Sequence, residues 1–184
     1  MRMNKRLLPP LVGTAISTLL LFVVGVEGTG RSGLDPRNIA LANSLAACSS
    51  REAVGGDVRV GYTLGGNMVF DLRSCKGDSR LIDPLHLLLQ FGRKIKDEGF
   101  TNLVIASAGE EVYRLEKSDL DELAGQYELG ARIWAFDNWP ERLRKPTGER
   151  AYGRWTGGFL GVAKGQMDDL HEALKTWVGK SATM

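Results

Sequence analysis

The sequence predicts an α+β fold, with α/β as the neighbouring alternative: a two-layer sandwich in which a mixed sheet of about four to five strands is covered by about three to four helices. Three observations predict it. Residues 57–71 alternate apolar and polar side chains on either side of Gly65-Gly66, the pattern of a β-hairpin. Residues 103–106, Leu-Val-Ile-Ala, form a continuous apolar run between glycines, which suits a central strand buried on both faces. Residues 83–98 and the stretch from Phe159 onward place apolar side chains at helical spacing.

The chain has 184 residues. Arg2, Lys5 and Arg6 precede an apolar run at residues 11–26, LVGTAISTLLLFVVGV, and no acidic residue interrupts it. A basic segment before an apolar core is the arrangement of an export signal. Pro9 and Pro10 keep a helix from starting before Leu11, because proline lacks an N–H and fixes φ. As a helix the run spans roughly 24 Å, against about 30 Å for a bilayer interior. Residues 1–28 are therefore expected to be a signal peptide cleaved after Gly28, or an N-terminal membrane anchor. A buried core helix is the remaining alternative. In both export readings the cations stay in the cytoplasm and the rest of the chain crosses. The expected location is the periplasm or the periplasmic face of the inner membrane.

The elements follow in order. Residues 29–56 read as a Gly-rich spacer and a short helix from about Pro36 to Ala47, with Asp35 as cap. Residues 57–184 read as one globular domain. Its hairpin, at 57–71, turns at Gly65-Gly66 in the manner of a two-residue loop. Asp83-Pro84 opens a helix to Glu98 that Gly99 ends. Leu85, Leu88, Leu89, Gly92 and Ile95 share one face, while Arg93, Lys94, Lys96 and Asp97 share the other. Strand 103–106 follows, so residues 68–106 make a β–α–β crossover if the two strands are parallel. Residues 111–115 favour a brief strand. Ser118 and Asp121 open a helix that Gly130 ends. Residues 131–137, ARIWAFD, read as a strand, and 138–149 as a loop because of Pro140, Pro146 and Gly148. The last helix places Val162, Gln166, Met167, Leu170, Leu174 and Trp177 near one face, with Lys164, Asp168, Asp169, Glu172 and Lys175 outside it.

Composition limits the chemistry. The net charge is +2, with no basic cluster of the kind nucleic-acid binding requires. Cys48 and Cys75 are the two cysteines. In an exported chain such a pair reads most simply as a disulfide, contributing roughly 3–4 kcal/mol on the chain-entropy account. There is no Cys-x-x-Cys, and only His86 and His171 stand to join them, so no metal site and no cofactor is expected.

Residues 152–161, YGRWTGGFLG, are the least ordinary in the chain. Glycines before a helix expose N–H groups to an anion, and Arg150 and Arg154 stand near. Arg154, Trp155, Thr156, Gly157 and Gly158 are therefore candidate binding residues, although no Lys-Ser/Thr pair follows as in a phosphate loop. The alternative is that Gly157, Gly161 and Gly165 let the final helix approach the sheet closely. Trp139, before Pro140 in an expected loop, is the best candidate for an exposed binding aromatic. Trp134 and Trp155 are further aromatics for a groove. Glu110-Glu111, Asp121-Glu122 and Asp168-Asp169 pair carboxylates, but adjacent helical residues do not face each other.

Ser107, at the end of the buried strand, with His86 or His171, outlines a nucleophilic hydrolase. The order from Phe70 to Ser107 resembles Clp-type serine peptidases, but the loop Arg73-Ser74-Cys75-Lys76-Gly77 lacks that family's paired glycines. The segments AYGRWTGGFLGVAKGQMDD and LLLQFGRKIKDEGFTNLVIA, with Trp177, resemble a group of exported bacterial proteins. That resemblance covers about Leu85 to Trp177, implies a shared domain, and carries no activity and no catalytic residue. The expected function is a non-catalytic envelope domain that binds an envelope protein or a cell-wall component, touching the membrane through its N-terminal segment if uncleaved. A small envelope hydrolase with a serine nucleophile and a structural subunit of an envelope assembly are the alternatives.

Overall fold

The computed structural model describes residues 36–63, 65–153, 155 and 158–181. The expected signal or anchor, the spacer and the Asp35 cap lie outside the described residues. The elements run α1 (Pro36–Ala46), α2 (Arg51–Val54), β1 (Val58–Tyr62), β2 (Met68–Leu72), α3 (Asp83–Lys94), β3 (Asn102–Ser107), β4 (Glu110–Glu116), α4 (Lys117–Glu128), α5 (Arg132–Arg142) and α6 (Gly158–Ser181).

The fold is α+β, built on one mixed four-stranded sheet in the order β1-β2-β3-β4. The hairpin forms where its alternation placed it: Val60 pairs with Phe70 and Tyr62 with Met68. Its connection takes residues 63–67 rather than two, closed by the Thr63 N–H on the Asn67 carbonyl at 2.9 Å. β2 and β3 are parallel, with Phe70 opposite Ile105, and α3 makes the crossover. β3 and β4 form a second hairpin, whose register shifts between Ile105 and Ala106.

Side-chain alternation sorts the sheet into two faces. Val60, Met68, Phe70, Leu72, Leu103, Ile105 and Leu115 join one large core, to which all six helices contribute. Val69, Val104 and Ala106 form a separate small cluster. The run 103–106 is thus buried on both faces, as its continuous apolar character requires.

The helices show where local signals hold and where they yield. On α3 the apolar face buries as its spacing predicts, with Leu87 and Phe91 added. Gly92 has a packing role: a Cβ there would lie 2.7 Å from Leu120 Cδ1, so the absent side chain lets α3 and α4 approach. Asp83 is the first helical residue, and its carboxylate accepts from the Arg80 N–H at 2.7 Å instead of capping forward. The helix stops at Lys94, before Gly99. The opening box of α4 does not form: the helix starts at Lys117 with Glu116 at the cap position, so Ser118 lies inside it, and Asp121 accepts from Lys117 Nζ at 2.6 Å.

The expected strand at 131–137 is wrong. These residues belong to α5, which continues to Arg142 through much of the expected loop. Ala135, Trp139 and Leu143 recur every fourth residue and are fully buried, a helical period that the split at Asn138 concealed. Pro140 is accommodated near the helix end, where the lost N–H removes one bond. Among the described residues there are therefore four strands and six helices, more helical than expected.

α6 has two unlike halves. Leu170, Ala173, Leu174, Trp177 and Val178 are buried, whereas no described side chain before Leu170 is. Met167, expected on the inner face, is exposed. Trp177 fixes the buried half: its indole N–H donates to the Ala106 carbonyl at 2.9 Å. Its ring stands 6.0 Å from Phe70 and 5.9 Å from Trp139. Trp177→Ala is expected to cost about 3–5 kcal/mol in denaturant unfolding. Trp134→Ala, at the surface, is expected to change stability by no more than about 0.5 kcal/mol.

Candidate binding surfaces and the occluded serine

Ligands of open sheets favour the carboxyl ends of parallel strands, here the ends of β2 and β3. That end is filled from within. Asp71, fully buried on β2, accepts from the Gly109 N–H at 3.0 Å and from Arg73 Nη1 at 3.1 Å. These bonds hold the β3–β4 turn, in which Ala108 sits at φ 54°. Ser107, on the opposite face from Asp71, is fully buried and its hydroxyl has no hydrogen-bond partner. His171 lies exposed on α6. A serine nucleophile needs a base within about 3 Å, and the structure does not bring Ser107 together with either histidine.

His86 has another arrangement. Its Nδ1 lies 2.7 Å from the Tyr127 hydroxyl, and its ring meets Phe136 edge-on at 4.8 Å. Burial holds the imidazole below its ordinary value of 6.5, opposed by Asp83 and reinforced by Arg132. The hydrogen bond between His86 and the Tyr127 hydroxyl ties α3 to α4.

The expected disulfide is not present: Cys48 and Cys75 are both free. Cys48 is buried after α1, donates to the Ser44 carbonyl at 3.4 Å and shares a cavity with Gln90 and Lys94 near the end of α3. Cys75 lies in the loop after β2, near Ser79, Ser181 and Asp83, the first residue of α3. At 1.5 Å per residue, those stretches of α3 are roughly 10–16 Å apart, and a disulfide needs Cα atoms within about 7 Å. Burial pushes both thiols up, away from the reactive thiolate.

The aromatic candidates are also reassigned. Trp139 is not an exposed loop residue: it is fully buried on α5. Arg154, Thr156 and Gly157 lie outside the described residues. Gly158 opens α6 with φ 74°. Trp155 folds back along α6, and its indole N–H donates to Asp169 Oδ2 at 2.7 Å. A Cβ on Gly165 would lie 2.7 Å from Trp155 Cδ1, so Gly165 admits the indole and not the sheet. Gly161 is exposed.

The carboxylate pairs diverge onto separate cations: Asp121 to Lys117, Glu122 to Arg142, and Glu111 to Arg114. A cavity of about 340 Å³ is lined by Glu116, Asp119, Glu141, Arg142, Arg144 and Arg150. Its three guanidiniums are matched by three carboxylates, as in Arg142–Asp119 at 2.6 Å and Arg144–Glu116 at 2.7 Å. It is an ion-pair network without excess charge.

Apolar surface is open to a ligand at two places, where Trp134 is an expected groove aromatic and Leu160, Leu129 and Ile133 are not expected. Leu160 is 81% and Met167 60% exposed. They stand seven residues apart, two turns along one face of the projecting half of α6. At the α4–α5 corner Leu129 is 81%, Ile133 77% and Trp134 37% exposed. The helical period of α5, once recognised, would have turned Ile133 outward from Ala135 and Trp139.

No known protein family matches the sequence, and no curated protein or solved structure is significantly similar to it.

The His86 contact makes a pH prediction. Its folded value lies below the unfolded one, so as pH falls below 6.5 the unfolded chain takes up the proton first and the fold loses stability. The stability difference between pH 7 and pH 5, from denaturant unfolding, is expected to shrink in His86→Gln. An undiminished difference contradicts this.

Proposed function

We propose that the chain is a non-catalytic binding domain of the bacterial envelope, exported through residues 11–26, that holds a partner protein on the projecting half of α6. One observation carries this reading: Leu160 and Met167 stand exposed on one face of a helix whose described side chains are fully buried only from Leu170 onward. An amphipathic helix offered in this way suits a partner groove that takes anchors two turns apart. Trp155, bonded to Asp169 and seated on Gly165, packs along the side of that half and leaves the Leu160–Met167 face open. Export is supported by the basic residues before the apolar run.

The hydrolase alternative lacks that support, because the Ser107 hydroxyl is fully buried and hydrogen-bonded to no base. A cell-wall component and a structural assembly remain readings of the same surface.

The test is co-purification from envelope fractions. The wild-type chain is expected to retain a protein that Leu160→Glu with Met167→Glu loses, at an affinity cost of about 2 kcal/mol or more. Unfolding of the double variant is expected to stay within roughly 0.5 kcal/mol of wild type. Retention of the same partner by the folded variant contradicts the proposal. A phosphatase fusion after residue 181 is expected to be active only if the chain is exported.

A further inference from the structure

We infer that the α4–α5 corner rests on the lipid surface of the membrane, with Leu129, Ile133 and Trp134 entering the interface. The inference deepens the export reading and rests on its uncleaved-anchor form.

Three observations point to lipid. The first is the composition of the corner. A branched aliphatic pair and a tryptophan project together from a tight helix–helix turn. Tryptophan beside aliphatic residues suits the headgroup boundary, where an indole keeps an apolar body and a polar N–H.

The second is charge. Arg132 is exposed between Leu129 and Ile133, with its guanidinium 5.2 Å over the Tyr127 ring. Lys94 is exposed beside Glu128 in the cavity behind the corner, and Arg93 pairs with Glu128. Asp137 lies one turn beyond Ile133, and burial already raises its carboxyl toward the neutral form. Three cations against two carboxylates leave a small positive excess, complementary to anionic headgroups.

The third is reach. Val26, the last residue of the apolar run, and Pro36, the first of α1, are ten positions apart in the sequence. Ten residues span at most roughly 35 Å, so an anchored chain keeps the domain against the bilayer. Ala47 and Cys48, just past α1, line the same cavity as Tyr127 and Glu128. α1 thus leads from the tether to the corner.

The chain carries a built-in probe. Its tryptophans are Trp134, Trp139, Trp155 and Trp177, and none lies in residues 1–28. Trp139 and Trp177 are fully buried, and Trp155 is half-buried against α6. Of the four, only Trp134 lies on the proposed contact.

The full chain is reconstituted into vesicles of phosphatidylcholine and phosphatidylglycerol, with and without brominated acyl chains. Flotation after carbonate washing reports the anchor, and quenching of tryptophan emission reports the corner. The expected result is floated protein whose emission bromination partly quenches. That quenching is expected to vanish in Trp134→Phe, and in Leu129→Glu with Ile133→Glu, which keeps Trp134. Circular dichroism confirms that each variant folds. Floated wild-type protein with unquenched emission overturns the inference and leaves the anchor standing. A change of oligomeric mass in Leu129→Glu without quenching in wild type also overturns it, assigning the corner to a protein contact. Protein that does not float overturns the anchor reading and this inference with it.

Discussion

The structure depends on Trp177. A sheet whose large core lies on one face needs a lid that cannot slide, and this side chain supplies it. Its ring packs against Phe70 of β2 and Trp139 of α5, and its indole N–H meets the Ala106 carbonyl on β3. One residue thereby joins the parallel strand pair, the helix before it and its own helix. An indole buried without that bond would leave a donor unsatisfied, at a cost of about 1–3 kcal/mol. Trp139 does carry such an unpartnered N–H, so the Trp177 bond is the polar fix of that corner of the core.

That anchorage divides α6. From Leu170 onward the helix is held by the core; before it, the Trp155 indole packs on Gly165 and bonds Asp169. The projecting half, with its exposed Leu160 and Met167, is the consequence. At the α4–α5 corner, likewise, Leu129 and Ile133 stay exposed outside the core. The surfaces proposed to bind are places that the packing leaves uncovered.

Much of the fold was legible because its signals are local. The hairpin alternation, the apolar run of β3, the face of α3 and the crossover between β2 and β3 all follow from side-chain period and stand in the structure. α5 was misread because Trp139-Pro140 looked like a breaker, and because Ile133, Trp134 and Phe136 favour strands. The deciding term was tertiary: burial of Ala135, Trp139 and Leu143 in one stripe against α6 outweighed both local signals. The site was far less legible. Exposure is a property of the whole fold, so Trp139 passed for an open aromatic while Leu160 and Ile133 passed unnoticed. The cysteine pair failed for the same reason, since a spacing in sequence gives no distance across α3.

α6 is one helix with a fixed half and a projecting half. Native-state hydrogen exchange tests it most directly, because protection reports how far a segment opens independently of the whole. Amides of residues 170–181 should exchange only near the global unfolding free energy, while those of residues 160–166 exchange by local opening at far lower cost. Equal protection along the entire helix would contradict the account.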